Sequence, residues 1–468
     1  MQKNSLSLCM IVKDAEETVG RAIKSALAVV DEVVVVDTGS SDNTRLIVEG
    51  YGARVVDHPW NDDFSSARNA GLAAAYGDWI LVLDADEVLE SIRPVEVGRL
   101  LSDDEAIAYY ARIRNEVRDR ATTVYDKVRL FRNHPEIRYR YPIHEQITPA
   151  IASVAQRNGG RFLPSPLSVV HHGSVDREDQ GKKARNQRLL HRAIEQYPDE
   201  PYFHYQLACE MAVHLEELVL PVKGFTVMLE HLQNSAKQVR RMDERRRQHL
   251  GYGADLYARL VGCLLACERT EDALSAAHEG VESFGDASSL RFSLARAELQ
   301  RAAELGRSPE AQQLRDDAEK RLHQMLDRAG DLEPAPISGA YFSVYPHRHL
   351  GLLALQRGEL EGAREHFRQA LSADPDYTGA LCGMARVAMA EGRAKDALQI
   401  YLKALTVNET EVDAWIGGAE VLLGLGFDDN ARSWLQKLAI FLPEHPGVAR
   451  MIESTRDGGL PAEEAVPA

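Results

Sequence analysis

The chain has 468 residues, more than one ordinary core holds, so two or three domains are expected. Lys and Arg total 55 against 71 Asp and Glu, and a net charge of -16 lacks the cation surplus that general nucleic-acid binding requires. Apolar residues make up 44%, yet no run reaches the roughly 18 apolar residues of a membrane-spanning helix.

In chain order, the first segment, Ser5 to Val12, is a strand-like run rather than a secretion signal, because no small-residue cleavage site follows it. Glu16 to Ala28 has helical spacing. Glu32 to Val36 is almost all valine and predicts a strand buried on both faces. A short helix over Asn43 to Gly50, a strand over Ala53 to Asp57, a helix over Asp63 to Tyr76 and a strand over Trp79 to Leu83 follow. Strand and helix alternate, which predicts a parallel sheet covered by helices, with the loops after the strands gathered on one ligand-binding edge. Ile107 to Ile113, Lys127 to Phe131 and Leu167 to Val170 read as further strands in an acceptor-facing part of the same domain.

From about Gln180 the pattern is helical, and a repeat of 34 residues is visible. Gly358, Gly392 and Gly426 share one position; Ala363, Ala397 and Ala431 share another. Phe367, Tyr401 and Leu435 form a third row, and Ala370, Ala404 and Leu438 a fourth. Pro375 and Pro443 share a position, and Trp415 supplies a further aromatic. Small residues let paired helices approach, an aromatic fills the gap, and proline stops the second helix. These rows resemble tetratricopeptide repeats. Weaker copies cover Tyr205 to Val213, Leu256 to Cys267 and Glu271 to Phe284, and Arg307 to Pro336 reads as a long helix and a loop. The tail after Asp457 has the composition of a disordered segment. The five cysteines are odd in number and scattered, which suits a reducing cytoplasm; Cys263 and Cys267 read as buried thiols rather than as metal ligands.

The chemistry is concentrated at strand ends. Asp84-Ala85-Asp86 follows the apolar run Trp79 to Leu83, so two carboxylates stand at the ligand edge. Close carboxylates repel, and a hard divalent cation, Mg2+ or Mn2+, relieves that repulsion while bridging to substrate phosphates. The tripeptide alone is common; its place after a buried strand gives it meaning. Asp37 ends the valine strand, Gly39 permits a tight turn, and Ser41 or Asp42 is placed to cap the next helix. Arg68, on the helix before the acidic strand end, is positioned for a phosphate or one of the carboxylates. His144-Glu145 and His171-His172-Gly173 follow later strand-like runs.

Four segments resemble family 2 glycosyltransferases of the GT-A fold: Cys9 to Lys13 with Glu16 and Glu17; Val36 to Ser40 with Asp42 and Thr44; Trp60 to Asn69; and Trp79 to Glu87. Ile143 to Ile147, His171 to Gly173, Lys183, Arg185-Asn186 and Leu189-Leu190 resemble a bacterial subgroup, that of the sublancin S-glycosyltransferase, in which the transferase precedes tetratricopeptide repeats. Where that subgroup often has Asn-Glu-Glu after the first lysine, this chain has Asp14-Ala15-Glu16-Glu17. The resemblance implies an α/β GT-A nucleotide-diphospho-sugar transferase domain over 1–180, a helical region with degenerate repeats over 181–335, an all-α tetratricopeptide solenoid over 340–455, and a tail over 456–468. It implies an inverting enzyme of hexosyltransferase type using a nucleotide-sugar, most often a uridine diphosphate sugar. Val12, Lys13, Asp37 and Gly39 would meet the nucleoside, and Arg68, Asp84 and Ala85 the ribose and diphosphate. Asp86 would bind the Mg2+ or Mn2+, with His171 on the metal or the diphosphate. Glu145 would be the catalytic base, with Glu87 and Asp176 as alternatives. The repeats would recruit a peptide or protein acceptor or pair two copies of the chain, although a lipid-linked or polysaccharide acceptor also fits. Two other readings compete. One is a scaffold with a degenerate transferase domain, which the intact cluster Asp84, Asp86 and Glu87 opposes. The other is a nucleotidyltransferase, which the acidic, glycine-free Lys13 to Glu17 opposes.

Overall fold

The computed structural model describes residues 4–115, 123–171, 180–211, 222–248, 250–285, 287–328 and 339–441. His172, Gly173, Asp176, Pro443 and the tail lie outside the described residues. The chain forms two compact units, Met1–Pro198 and Asp199–Ala468. The first therefore continues past position 180 through a further helix.

The first unit runs β1 (Leu6–Val12), α1 (Val19–Ala26), β2 (Glu32–Asp37), α2 (Thr44–Gly50), β3 (Arg54–Asp57), α3 (Phe64–Ala74), β4 (Trp79–Val82), β5 (Glu87–Leu89), α4 (Pro94–Leu101), β6 (Ala106–Asn115), β7 (Thr123–Arg132), α5 (Thr148–Asn158), β8 (Arg161–His171) and α6 (Gln180–Gln196). One sheet has the order β3-β2-β1-β4-β7-β6-β8-β5. The alternation over the first 83 residues produces the expected parallel block: β3, β2, β1 and β4 all run together. The whole sheet is mixed, because β7 joins β4 antiparallel, β6 joins β7 antiparallel, and β5 joins β8 antiparallel. Central strands are buried on both faces. Leu6, Leu8, Met10 and Val12 pack into one core with α1, while Cys9, Val34, Ile80 and Val82 pack into the other. Period-two alternation divides each strand between two hydrophobic layers.

The short link between β4 and β5 requires the sheet to curl. Five residue steps separate Val82 of β4 from Glu87 of β5, at most about 17 Å of extended chain. Three strands lie between β4 and β5 in the sheet, which would separate them by about 19 Å if flat. The far edge therefore bends back over the end of β4, and β5 reaches α1, where Leu89 N donates to Ser25 Oγ at 3.0 Å. This curl gathers residues from β4, β5, β7 and β8 at one place.

The second unit is all helical: α7 (Pro201–Met211), α8 (Val222–Arg240), α9 (Glu244–Gln248), α10 (Gly253–Ala266), α11 (Thr270–Phe284), α12 (Ser288–Glu304), α13 (Pro309–Asp327), α14 (Val344–Gln356), α15 (Leu360–Ala373), α16 (Thr378–Ala390), α17 (Ala394–Val407), α18 (Val412–Gly424) and α19 (Asp428–Phe441). The repeat rows have physical roles. Gly358, Gly392 and Gly426 turn the chain between paired helices with φ of 76°, 76° and 78°, a conformation costly for other residues. Ala363, Ala397, Ala431, Phe367, Tyr401 and Leu435 are all buried. A Cβ on Gly383 would stand 2.3 Å from the Phe367 ring, and one on Gly417 would stand 2.2 Å from Tyr401, so these positions admit the aromatic row only without a side chain. Cys263 is buried, with its thiol donating to Phe225 O. Burial pushes that thiol up to about 12, which suits an inert thiol.

Candidate functional site

Val12 and Asp37 are register partners at the ends of β1 and β2. Asp37 is buried, and its Oδ1 accepts from Gly39 N at 3.2 Å and Ser40 N at 2.9 Å. Gly39 holds φ of 103°, the left-handed turn that brings those amides back over the carboxylate. Lys13 is exposed just beyond Val12. The two loops then zip together. Asp14 N donates to Ser40 Oγ, Ser41 N to Asp14 Oδ1, Glu16 N to Asp42 Oδ2, and Asn43 N to Glu16 Oε2. Asp42 also accepts from Thr44 N at the start of α2, whereas Ser41 serves Asp14. The stretch Asp14 to Glu16 thus fits the next loop residue by residue, Ala15 N donating to Thr44 Oγ1.

α3 begins at Asp63, whose carboxylate accepts from Ser66 N at 3.0 Å, an N-cap. One turn on, Asn69 exchanges two hydrogen bonds with the Tyr139 backbone, at 2.9 and 2.8 Å. This ties α3 to the loop that carries Glu145. Arg68, mostly buried, then bridges two carboxylates: Nη2 stands 2.8 Å from Asp84 Oδ1 and Nε 2.5 Å from Glu145 Oε1. Arg129 on β7, only 4% exposed, pairs with Asp84 Oδ2 at 3.4 Å and with Glu87. Burial pushes the Asp84 carboxyl up, but the Arg68 and Arg129 guanidiniums outweigh it and hold it well below the usual carboxylate range. Glu87 is buried. Its Oε2 accepts from Asp84 N at 2.9 Å and its Oε1 faces Arg129. Burial raises its carboxyl above the usual range, with Asp84 adding to the rise and Arg129 opposing it. Both oxygens of Glu87 are thereby engaged, one on the Asp84 amide and one on Arg129.

Asp86 stands apart from that arginine network, and His171 ends β8. Though 85 positions apart, His171 Nε2 lies 3.2 Å from Asp86 Oδ2. Both side chains keep solvent access, at 35% and 38%. His171 Nδ1 lies 3.1 Å from Asn115 Oδ1. An amide oxygen only accepts, so Nδ1 carries its proton. A neutral ring would then aim its Nε2 lone pair at a carboxylate, which requires a cation or a second proton between them. The Asp86 hydrogen bond accordingly raises His171 above the ordinary histidine range. One carboxylate and one imidazole with open access on their outer side fit a divalent ion that completes its shell with phosphate oxygens. No group of three His, Cys, Asp or Glu side chains arranged for a metal occurs among the described residues.

The structure thus brings Arg68, Asp84, Glu145, Asp86 and His171 together, with Ala85 partly buried in the turn between the two aspartates. Val12, Lys13, Asp37 and Gly39 occupy the ends of the neighbouring strands β1 and β2. His144 lies beside Glu145 with φ of 50°. Asp14, Asp62 and Tyr141 also hold positive φ, at 46°, 63° and 81°, and all four belong to loops around these strand ends, where strained backbone concentrates in functional proteins. Arg129 and Asn115 escape a reading of sequence. One signal existed for the first. Lys127 and Arg129 alternate on β7 amid buried Val128, Leu130 and Phe131, and an inward arginine in an apolar strand demands a partner. α6 closes the surround, with Arg188 bidentate on Asp62 at 2.6 and 2.9 Å and Arg185 over the Phe64 ring at 5.3 Å.

Both units are similar to known proteins. Residues 7–156 match the family model Glycosyl transferase family 2, and residues 304–378 and 354–405 match tetratricopeptide repeat models. A TPR repeat-containing protein of Synechococcus elongatus is 37% identical over 201 residues, 42% of this chain and 50% of that one. An uncharacterized glycosyltransferase of Rickettsia bellii is 33% identical over 129 residues, 26% of this chain and 44% of that one. The SPbeta prophage-derived glycosyltransferase SunS of Bacillus subtilis is 22% identical over 201 residues, 41% of this chain and 46% of that one. The chain thus spans about half the length of the curated relatives it matches. No helix among the described residues is long and apolar enough to cross a membrane. The first unit therefore carries a Glycosyl transferase family 2 domain on its mixed α/β sheet, and the second carries tetratricopeptide repeats.

Proposed function

We propose that the chain transfers a sugar from a nucleotide-sugar, of the uridine diphosphate class, to a nucleophilic acceptor with inversion at the anomeric carbon. The observation that carries this reading is the approach of Asp86 and His171 beside the arginine-held Asp84. In this reading Asp37 and the Val12-Lys13 backbone hold the base and ribose, and Gly39 keeps the Asp37 turn tight. Asp84 and Ala85 line the way to the diphosphate, and Arg68 fixes Asp84 in place. Asp86 and His171 hold Mg2+ or Mn2+. Such an ion supplies charge to the departing diphosphate.

Glu145, held by Arg68 on one oxygen, takes the proton of the acceptor O–H, S–H or N–H. The acceptor atom bonds to the anomeric carbon as the bond from that carbon to the diphosphate oxygen breaks, and the nucleoside diphosphate leaves. Glu87 is a poorer base, since one oxygen accepts from the Asp84 amide and the other faces Arg129 of β7. Repeats of this type bind peptide segments, which favours a peptide or protein acceptor.

Mass spectrometry of candidate peptides after incubation with a nucleotide-sugar pool and Mn2+ tests the reading. A peptide gaining one hexose or N-acetylhexosamine supports it. Neither transfer nor donor hydrolysis, and no donor-dependent thermal shift, would instead favour a non-catalytic scaffold.

A further inference from the structure

Asn115 belongs to none of the sequence motifs, yet it occupies the strand-end position beside His171. β6 and β8 run parallel with Asn115 opposite His171, and β8 and β5 run antiparallel with His171 opposite Glu87. Pairing therefore sets Asn115, His171 and Glu87 side by side across three strands. The Asn115 amide also hydrogen-bonds to the Tyr125 hydroxyl on β7, so it is held from a second direction.

We infer that Asn115 is a positioning residue for the proposed cation site: its Oδ1, 3.1 Å from His171 Nδ1, locks the ring so that Nε2 faces Asp86 and the ion. This rests on the reading of Asp86 and His171 as cation ligands. Three physical steps carry it. An amide oxygen accepts and cannot donate, so it selects the tautomer with the proton on Nδ1. That tautomer leaves Nε2 as the only ring nitrogen able to ligate. A bonded Nδ1 also opposes rotation of the ring, which would exchange the two nitrogens. An apolar side chain at 115 removes both constraints while His171 and Asp86 stay in place. Outer partners of ligating histidines carry about 10- to 100-fold in metal affinity.

The test uses the full chain with Mn2+ as the probe in the presence of uridine diphosphate. Free Mn2+ is followed by electron paramagnetic resonance, and bound Mn2+ by the pulsed signal of a coordinated imidazole nitrogen. Asn115→Leu is expected to weaken Mn2+ about 10- to 100-fold and to diminish the nitrogen coupling. Its melting temperature in EDTA should match that of the parent chain. Asn115→Asp, which still accepts from Nδ1, is expected to bind at least as tightly as the parent. Parent-like affinity and coupling in Asn115→Leu overturn the inference. So does an Asn115→Asp as weak as Asn115→Leu. If Asn115→Leu melts early in EDTA, Asn115→Ala takes its place with the same expected loss and the same overturning result. Asp86→Asn and His171→Ala separate the layers. Loss of Mn2+ in both upholds the ligand reading, and parent-like binding in either removes that reading along with the inference.

Discussion

Arg68 Nη2 lies 2.8 Å from Asp84 Oδ1, so the first carboxylate of the Asp84-Ala85-Asp86 turn is already neutralised by the chain itself. Removing Arg68 leaves Asp84 with Arg129 as its remaining ion-pair partner among the described residues, and takes the guanidinium from Glu145. Breaking a buried pair from one side costs about 3–5 kcal/mol. Arg68→Ala is expected below that range, at about 1–3 kcal/mol, because Asp84 is a third exposed and Arg129 remains, and Arg68→Lys should recover only part, since one ammonium cannot span both carboxylates. Urea denaturation measures both. A loss under about 0.5 kcal/mol for Arg68→Ala would show the network to be solvated rather than structural.

Among the described residues no arginine pairs with Asp86, which keeps 38% exposure. Asp86→Asn is therefore expected to leave stability within about 0.5 kcal/mol of the parent while abolishing Mn2+-dependent donor hydrolysis. Thermal unfolding and uridine diphosphate release are the two measurements. Unchanged turnover with Mn2+ removes Asp86 from the metal role.

Glu145→Gln keeps an acceptor oxygen for Arg68 but cannot take a proton. General-base removal costs about 10²- to 10⁴-fold in rate, so kcat for transfer should fall by that range with donor KM little changed. If kcat holds and only stability falls, Glu145 is an ion-pair partner and the base lies elsewhere.

Asp62 is held down to about 2 from an ordinary value of 3.8, first by its hydrogen bond with Arg188. The folded value lies below the unfolded one, so the contribution is complete above about pH 4 and is lost as pH falls toward 2. The pair is half exposed and is worth roughly 1 kcal/mol or less. Arg188→Ala should lower stability by that amount near neutrality and converge on the parent chain in acid. Urea midpoints across pH 2–7 test this, and a gap that does not close in acid counts against the assignment.

In the second unit, Gly383→Ala would place a Cβ 2.3 Å from the Phe367 ring. Overpacking of this kind costs about 1–3 kcal/mol. The same change at Gly424, where nothing lies within 4 Å, should be neutral or stabilising by up to about 1 kcal/mol. Thermal melts of the two variants give the comparison, and equal midpoints would contradict the close helix approach.

The sequence by itself determined the local elements and the repeat. Apolar runs of four to seven residues bounded by glycine and charge specify β1, β2 and β4, because a strand buried on both faces has no other way to be written. The 34-residue rows specify the helix pairs, since each row is one packing position. The strand-end aspartates Asp37, Asp84 and Asp86 were legible for the same reason: where a buried strand ends is visible in one dimension. β5, with three residues, and the helices α4 and α5 lacked the periodic length that makes an element visible.

Only the tertiary structure decided how those strand ends share their partners. The antiparallel additions β7, β6, β8 and β5, and the curl that returns β5 to the end of β4, depend on pairings between segments far apart in sequence. Those pairings set Arg129 between Asp84 and Glu87, and Asn115 beside His171. Sequence marks which residues carry charge. The meeting of Asp86 with a histidine 85 positions later follows from strand order and register, which no local pattern encodes.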